Sequence, residues 1–80
     1  MSRILEGDLV KHFKGNLYKV LYFARYSENH DLRLVVYQSQ QTGEIWVRPY
    51  DMFVSEVDNV KYPNVQQKYR FEVVTEADHD

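Results

Sequence analysis

The sequence contains no cysteine. This excludes a disulfide scaffold, a thiolate nucleophile and any zinc site with cysteine ligands, and it fits a reducing cytoplasm. Glycine occurs only at positions 7, 15 and 43, so there is no glycine-rich loop to cradle a phosphate. No apolar run approaches the ~20 residues of a membrane-spanning helix. Because Glu6 stands where a signal peptide would be apolar, we expect a cytoplasmic protein that does not bind membranes.

Aromatic residues are abundant, with seven Tyr, four Phe and one Trp among 80 residues. A chain of this length forms one domain and buries only about 60% of the surface that its unfolded form exposes. Each aromatic ring can bury about 150–250 Å², so a few inward rings can build the core. We predict one domain over residues 1–74 and an acidic, disordered tail over residues 75–80.

The net charge is −2 and is unevenly distributed. Residues 1–50 carry seven Lys/Arg against five Asp/Glu, whereas residues 51–80 carry three against seven. This balance does not indicate a strongly basic nucleic-acid binder, although a local basic face in the first half stays possible.

Alternation of apolar and polar side chains is clearest over residues 17–26 and predicts a β-strand there. Turn residues at 14–16 and 40–43 and a polar loop at 27–31 separate it from neighbouring strands. A single helical turn is expected at 50–53, with Asp51 supporting its start. Predicted strands cover residues 9–13, 17–26, 32–39, 44–48 and 69–74.

Five short strands joined by turns predict an all-β fold, a small antiparallel five-stranded barrel of the SH3-like kind. The alternative is an OB-like barrel, which would require a longer helix than the sequence offers. We expect Tyr18 and Tyr22 to be core rings with their hydroxyls at the rim. The remaining residues that we expect to be largely buried are Val20, Leu34, Val36, Trp46, Phe53 and Phe71.

Four linked segments resemble a bacterial family known as domain of unknown function 1653. They are HFKGNLYKV at 12–20, ARYSE at 24–28, LVVY at 34–37, and WVRP at 46–49 followed by Met52-Phe53. The resemblance covers roughly residues 7–74 and implies no established activity. Tyr26 stands where the family's Ala-Arg-His-Ser segment has histidine, so any chemistry of that histidine is missing here.

Catalytic and metal-binding constellations are not recognisable. His12, His30 and His79 are widely spaced and lack the clustering that metal sites need. Ser27 and His30 share a loop without a nucleophile motif around the serine. We therefore predict no enzymatic activity, no metal and no cofactor.

A binding surface is the remaining possibility, and Arg and Tyr are the residue types that suggest it. The candidate set is Arg25, Tyr26, Tyr37, Arg48 and Tyr50. The segment 46–49 has two interpretations. Trp46 and Arg48 share a strand face and could together recognise a ligand. The favoured interpretation makes Trp46 a core ring and pairs Arg48 with Glu44 or Asp51.

Two functions are thus compatible with the sequence. The favoured one is a binding module for a protein or peptide partner through an aromatic and arginine surface. The alternative is an accessory domain that binds nucleic acid. The cations that would serve it are Lys11, Lys14, Arg25, Arg33 and Arg48.

Overall fold

One open antiparallel sheet of five strands and one helical turn form the architecture of residues 4–74, the part of the chain that the computed structural model describes. The strands are β1 (Leu9–His12), β2 (Leu17–Tyr26), β3 (Asn29–Ser39), β4 (Ile45–Pro49) and β5 (Phe71–Val73), and the helical turn is α1 (Tyr50–Phe53). The predicted tail at residues 75–80 lies outside the described residues.

The strand order is β4-β3-β2-β1-β5, with every neighbouring pair antiparallel. The all-β prediction is confirmed, but the prediction of a closed barrel is wrong. Among the described residues β4 pairs only with β3 and β5 pairs only with β1, so the sheet has two edges. The last strand has three residues instead of the predicted six, and too short a ladder remains to close the sheet onto β4.

Both predicted hairpin turns are present, and each relies on a glycine. Gly15 (φ 103°) and Gly43 (φ 78°) occupy the left-handed region that other residues avoid. The predicted loop at 27–31 is shorter than expected, because β3 already begins at Asn29 and leaves only Ser27 and Glu28 between the strands. The Asn29 side chain accepts a hydrogen bond from the Asp31 N–H at 3.1 Å.

An irregularity in β2 changes which side chains face the core. The register to β3 shifts between Val20 and Tyr22, so Leu21 is a bulge residue. Val20 is completely buried, but after the bulge the alternation is reversed and Tyr22 is 64% exposed. The prediction that Tyr22 is a core ring is therefore wrong.

The same register determines the inner face of β3. Val35 and Tyr37 are buried, whereas Leu34 and Val36 lie on the opposite face and are only partly buried. Because β3 is apolar on both faces, alternation alone could not distinguish them, and the stronger burial predicted for Leu34 and Val36 is wrong.

Aromatic stacking forms the centre of the core. The Phe53 and Phe71 rings stack with centroids 4.0 Å apart and planes 5° from parallel, which joins α1 to β5. Tyr37 packs against both rings at 5.1 and 5.6 Å. The buried positions predicted for Val20, Phe53 and Phe71 are confirmed. The apolar residues of the core are Ile4, Val10, Val20, Val35, Tyr37, Phe53, Val57 and Phe71.

The segment between α1 and β5 is irregular but is fastened to the sheet. Gln67 Nε2 donates to the Lys11 carbonyl oxygen at 2.9 Å, and the Phe13 N–H donates to the Arg70 carbonyl oxygen at 3.0 Å. Residues 54–70 are thereby held beside the end of β1. Within residues 4–74 no helix is long and apolar enough to cross a membrane.

Candidate functional site

The five residues predicted to form one binding surface are divided by the fold. Arg25 lies opposite Arg33 at the far end of β2 and β3, and Tyr26 is exposed at the end of β2. Tyr37 is only 6% exposed and belongs to the core, so its expected surface position is wrong. Arg48 lies on β4, with β3 between it and β2, and it lines a different depression from Arg25.

Arg25 and Tyr50 do share a surface depression of about 380 Å³, which we call the Tyr50 hollow. The Arg33 guanidinium carbon lies 4.2 Å from the centroid of the Tyr50 ring, in cation–π geometry. Phe23 packs edge-on against the same ring at 5.9 Å. The residues of the Tyr50 hollow are Ile4, Leu5, Phe23, Ala24, Arg25, Arg33 and Tyr50.

A second depression, of about 320 Å³, gathers most of its charge from residues far apart in sequence. Lys14 follows β1, Arg48 lies on β4, Lys61 belongs to the loop after α1, and Arg70 precedes β5. We call this depression the basic cleft. Its residues are His12, Phe13, Lys14, Arg48, Asp58, Lys61, Tyr62 and Arg70.

Among residues 4–74, Asp58 is the one carboxylate that lines the basic cleft, and its side chain already accepts hydrogen bonds from the backbone. Its Oδ1 accepts hydrogen bonds from the N–H groups of Val60 and Lys61 at 3.0 and 3.2 Å. This arrangement shapes the loop that carries Lys61. Within the described part of the chain, the positive charge of the cleft is therefore only partly balanced by the residues that line it.

Arg70 is the cation whose position is best defined. Its N–H donates to the Ser55 carbonyl oxygen at 2.8 Å, and its Nε donates to Ser55 Oγ at 3.3 Å. The cleft also has an aromatic part, since the Phe13 and Tyr62 rings line it and contact each other, with centroids 4.9 Å apart. The Lys14 ammonium lies 5.9 and 5.7 Å from the two ring centroids.

The pKa of His12 is lowered by its position in the basic cleft. Burial, as the largest cause, and the positive charges of Arg48, Arg70 and Lys14 together lower the pKa of its imidazole from the ordinary 6.5 to about 4. Its Nδ1 accepts a hydrogen bond from the Lys14 N–H at 3.1 Å, which requires that nitrogen to be unprotonated. His12 is thus neutral at pH 7, and the cleft disfavours a further positive charge.

An aromatic depression of about 220 Å³ adjoins the basic cleft through Arg48, which lines both. Its other residues are Tyr18, Tyr37 and Trp46, and we call the set the Trp46 ledge. Trp46 is 50% exposed, so its predicted role as a largely buried core ring is wrong. Trp46 lies opposite Tyr37 at the edge of the sheet, where the core ends and cannot cover the whole indole.

Sequence reasoning identified Lys14 and Arg48 but missed Lys61, Tyr62 and Arg70. A sequence signal for them was present. Lys61-Tyr62 and Tyr69-Arg70 each place a cation beside an aromatic residue, the same combination that made Trp46 and Arg48 candidates. Over residues 4–74 there is no group of three or more His, Asp and Glu side chains placed to hold a metal ion.

Comparison with known proteins identifies a family and nothing finer. No curated protein and no solved structure matches the chain significantly. The family model described as "Protein of unknown function (DUF1653)" matches residues 8–73, which include all five strands and every residue of the basic cleft. The chain therefore belongs to the DUF1653 family.

Proposed function

We propose that this chain is a non-catalytic binding module whose ligand is an acidic segment of a partner protein, held in the basic cleft. The observation that carries the proposal is the convergence of four cations on one depression, which has a single carboxylate among the described residues that line it. The cations are Lys14, Arg48, Lys61 and Arg70, and the carboxylate is Asp58. Charges of one sign gathered at one place favour a ligand of the opposite sign.

The geometry suits carboxylate side chains that project from an extended segment. Arg48 and Arg70 offer planar guanidinium groups, which bind carboxylates through charge-assisted and often bidentate hydrogen bonds. The Phe13 and Tyr62 rings provide an apolar wall for the methylene groups of the ligand. The adjoining Trp46 ledge offers a half-exposed indole to a neighbouring side chain.

Nucleic acid is the second candidate, because an exposed aromatic ring beside cations can stack a base while the cations bind phosphates. Trp46 beside Arg48 favours it. The proposed cation set is divided, however, since Arg25 and Arg33 line the Tyr50 hollow and Arg48 lines the basic cleft. Affinity for a phosphate backbone grows with the number of phosphates neutralised, so such binding requires a continuous row of cations on the surface. We therefore rank this candidate second.

Two finer expectations accompany the proposal. A four-residue helix between β4 and β5, together with the return of β5 to β1, supports an SH3-like description over an OB-like one, which would have a longer helix. The absence of cysteine supports a cytoplasmic location.

The test is fluorescence anisotropy of the full chain with a labelled polyglutamate peptide, a polyglutamine peptide of equal length and an oligothymidylate. We expect the polyglutamate peptide to bind, and the double variant Lys14→Ala, Lys61→Ala to bind it about tenfold or more weakly, since charged hydrogen bonds contribute about 1.5–3 kcal/mol each. The matched control is Lys11→Ala, Lys19→Ala, which removes two exposed cations outside the cleft and should bind as the parent does.

The outcomes separate the candidates. Equal loss in the two double variants would show that net charge, and not the basic cleft, governs binding. Tight oligothymidylate binding that weakens steeply with salt, without binding of polyglutamate, would replace the peptide proposal with the nucleic-acid one. Failure of both charged probes to bind would reject the cleft as an anion site.

A further inference from the structure

The free edge of β4 is apolar and exposed. Ile45, Trp46 and Val47 are 61%, 50% and 59% exposed, and within the described chain β4 has no neighbour other than β3. Edge strands usually avoid pairing with other chains by carrying charged residues or bulges. Among the five residues of β4 only Arg48 is charged, and its side chain lines the basic cleft.

The outward face of the sheet continues this apolar surface. Tyr22, Val36 and Val47 lie in one row across β2, β3 and β4, and Ala24, Leu34 and Pro49 form the next row. Both ends of the first row are well exposed, with Tyr22 at 64% and Val47 at 59%. A contiguous apolar face of this kind marks an interaction surface.

The hydrogen-bond register shows which backbone groups of β4 are available. The Ser39 N–H donates to the Glu44 carbonyl oxygen at 2.9 Å, and the same register pairs Tyr37 with Trp46. Backbone groups alternate in direction along an antiparallel strand. Trp46 therefore directs its N–H and C=O toward β3, whereas Ile45 and Val47 direct theirs away from the sheet.

We propose that β4 pairs antiparallel with β4 of a second copy of this chain, around a two-fold axis at Val47, to give one continuous sheet across a homodimer. At this register the two Val47 residues exchange N–H···O=C bonds, and each Ile45 N–H donates to the partner's Pro49 carbonyl oxygen. Proline has no N–H, so its carbonyl is the only group it can offer, and this register uses it.

The side chains favour a second copy over an unrelated strand because β4 is complementary to itself in this register. Trp46 falls directly opposite the partner's Arg48, in the closely spaced type of pair, where the methylene stem of the arginine can pack beside the indole while its guanidinium stays in the basic cleft. Val47 meets an identical apolar residue, so no like charges face each other at the axis. A two-fold axis of this kind is perpendicular to the sheet, and it places both basic clefts on the same face. The inference goes beyond the proposed function and does not depend on it.

Analytical ultracentrifugation of the full chain from micromolar to millimolar concentration tests the pairing. We expect the parent to dimerise and Val47→Lys, which places two lysines face to face at the axis, to self-associate about tenfold or more weakly. The matched control is Val60→Lys, which puts the same charge at a residue that is 93% exposed in the loop after α1 and should dimerise as the parent does. A parent that stays monomeric, or a Val47→Lys variant that dimerises normally, would overturn the proposal.

Hydrogen exchange of the unmodified chain gives a second measurement that needs no variant. The Val47 amide should exchange more slowly as protein concentration rises, because its N–H is bonded only in the dimer. The Trp46 amide, already directed toward β3, serves as the internal reference and should change much less. If concentration leaves exchange at Val47 unchanged, β4 is not the interface.

Discussion

At the scale of single residues, His12 shows how the fold tunes one side chain. The ring packs edge-on against Phe71 at 4.9 Å, stacks on Phe13 at 4.4 Å and is surrounded by the cations of the basic cleft. An imidazole in this position is costly to protonate. His12 therefore acts as a neutral hydrogen-bond acceptor for the Lys14 N–H and adds no positive charge to the cleft that would attract a ligand.

This environment makes stability depend on pH in a defined window. The pKa of His12 is about 4 in the folded chain and 6.5 as its ordinary value, so between these values the unfolded chain binds more protons. We expect the melting temperature to fall as pH decreases from about 6.5 to about 4, and the contribution of His12 to be constant above and below that window. The measurement is thermal unfolding across this range for the parent and for His12→Gln.

Carboxylates also titrate in this window, but they are common to both proteins, so the difference between the two curves isolates His12. The His12→Gln curve should be shallower. Parallel curves would mean that His12 is accessible to protons in the folded chain. A polyglutamate peptide bound in the cleft should raise the pKa of His12, because it adds negative charge beside the ring.

At the scale of elements, the contact between α1 and β5 joins the two ends of the fold. Phe53 lies on a helix of only four residues, which has little stability of its own, and Phe71 lies on a strand of three. Their stacked rings are completely or almost completely buried. Each short element therefore depends on tertiary contacts, with β5 paired to β1 and the two stacked rings packed against Tyr37.

Replacing Phe53 should consequently be far more damaging than replacing Trp46. A buried Phe→Ala change costs about 3–5 kcal/mol, a large part of the stability of a domain of this size. We expect Phe53→Ala to unfold most of the protein at 37 °C, and Trp46→Ala, at a residue that is 50% exposed, to cost about 1 kcal/mol or less. Urea unfolding followed by circular dichroism measures both, and equal losses would show that the indole is as important to the core as the stacked rings are.

How far the sequence predicts these elements depends on whether the determining contacts are local. Turn glycines and alternation located all five strands to within a few residues, because those signals lie within each segment. The bulge at Leu21 had no local signature, and it placed Tyr22 on the outside. The basic cleft was predicted only in part for the same reason, because tertiary hydrogen bonds bring the segment of Arg70 beside β1. The Phe13 N–H donates to the Arg70 carbonyl oxygen, and Gln67 Nε2 donates to the carbonyl oxygens of Lys11 and Tyr69.

At the scale of the whole molecule, folding brings four positive charges together in the basic cleft. Their repulsion lowers the stability of the fold, and a bound anion offsets it. Lys14, Arg48, Lys61 and Arg70 come from four separate segments and are brought together only when the sheet and the loop after α1 assemble. Their mutual repulsion opposes folding, and any anion that binds only the folded chain offsets it by mass action. Sites that bind ligands commonly sacrifice stability in this way.

The last prediction follows from that opposition. Lys61 is exposed and lines the basic cleft, so Lys61→Gln removes charge repulsion there. It also removes the contact of the Lys61 ammonium with the Tyr62 ring, 5.5 Å from the centroid. Surface charge interactions are worth about 0.2–1 kcal/mol, so at low salt the variant should melt a few degrees higher than the parent and bind polyglutamate more weakly. Salt should erase the difference in melting temperature, since screening weakens the repulsion in the parent.

Lys68→Gln, which removes an exposed lysine outside the cleft, is the matched control and should leave both the melting temperature and the affinity for polyglutamate unchanged. If Lys61→Gln melts at a lower temperature than the parent at low salt, then Lys61 stabilises the folded chain. In that case repulsion among the cations of the basic cleft does not lower the stability of the protein.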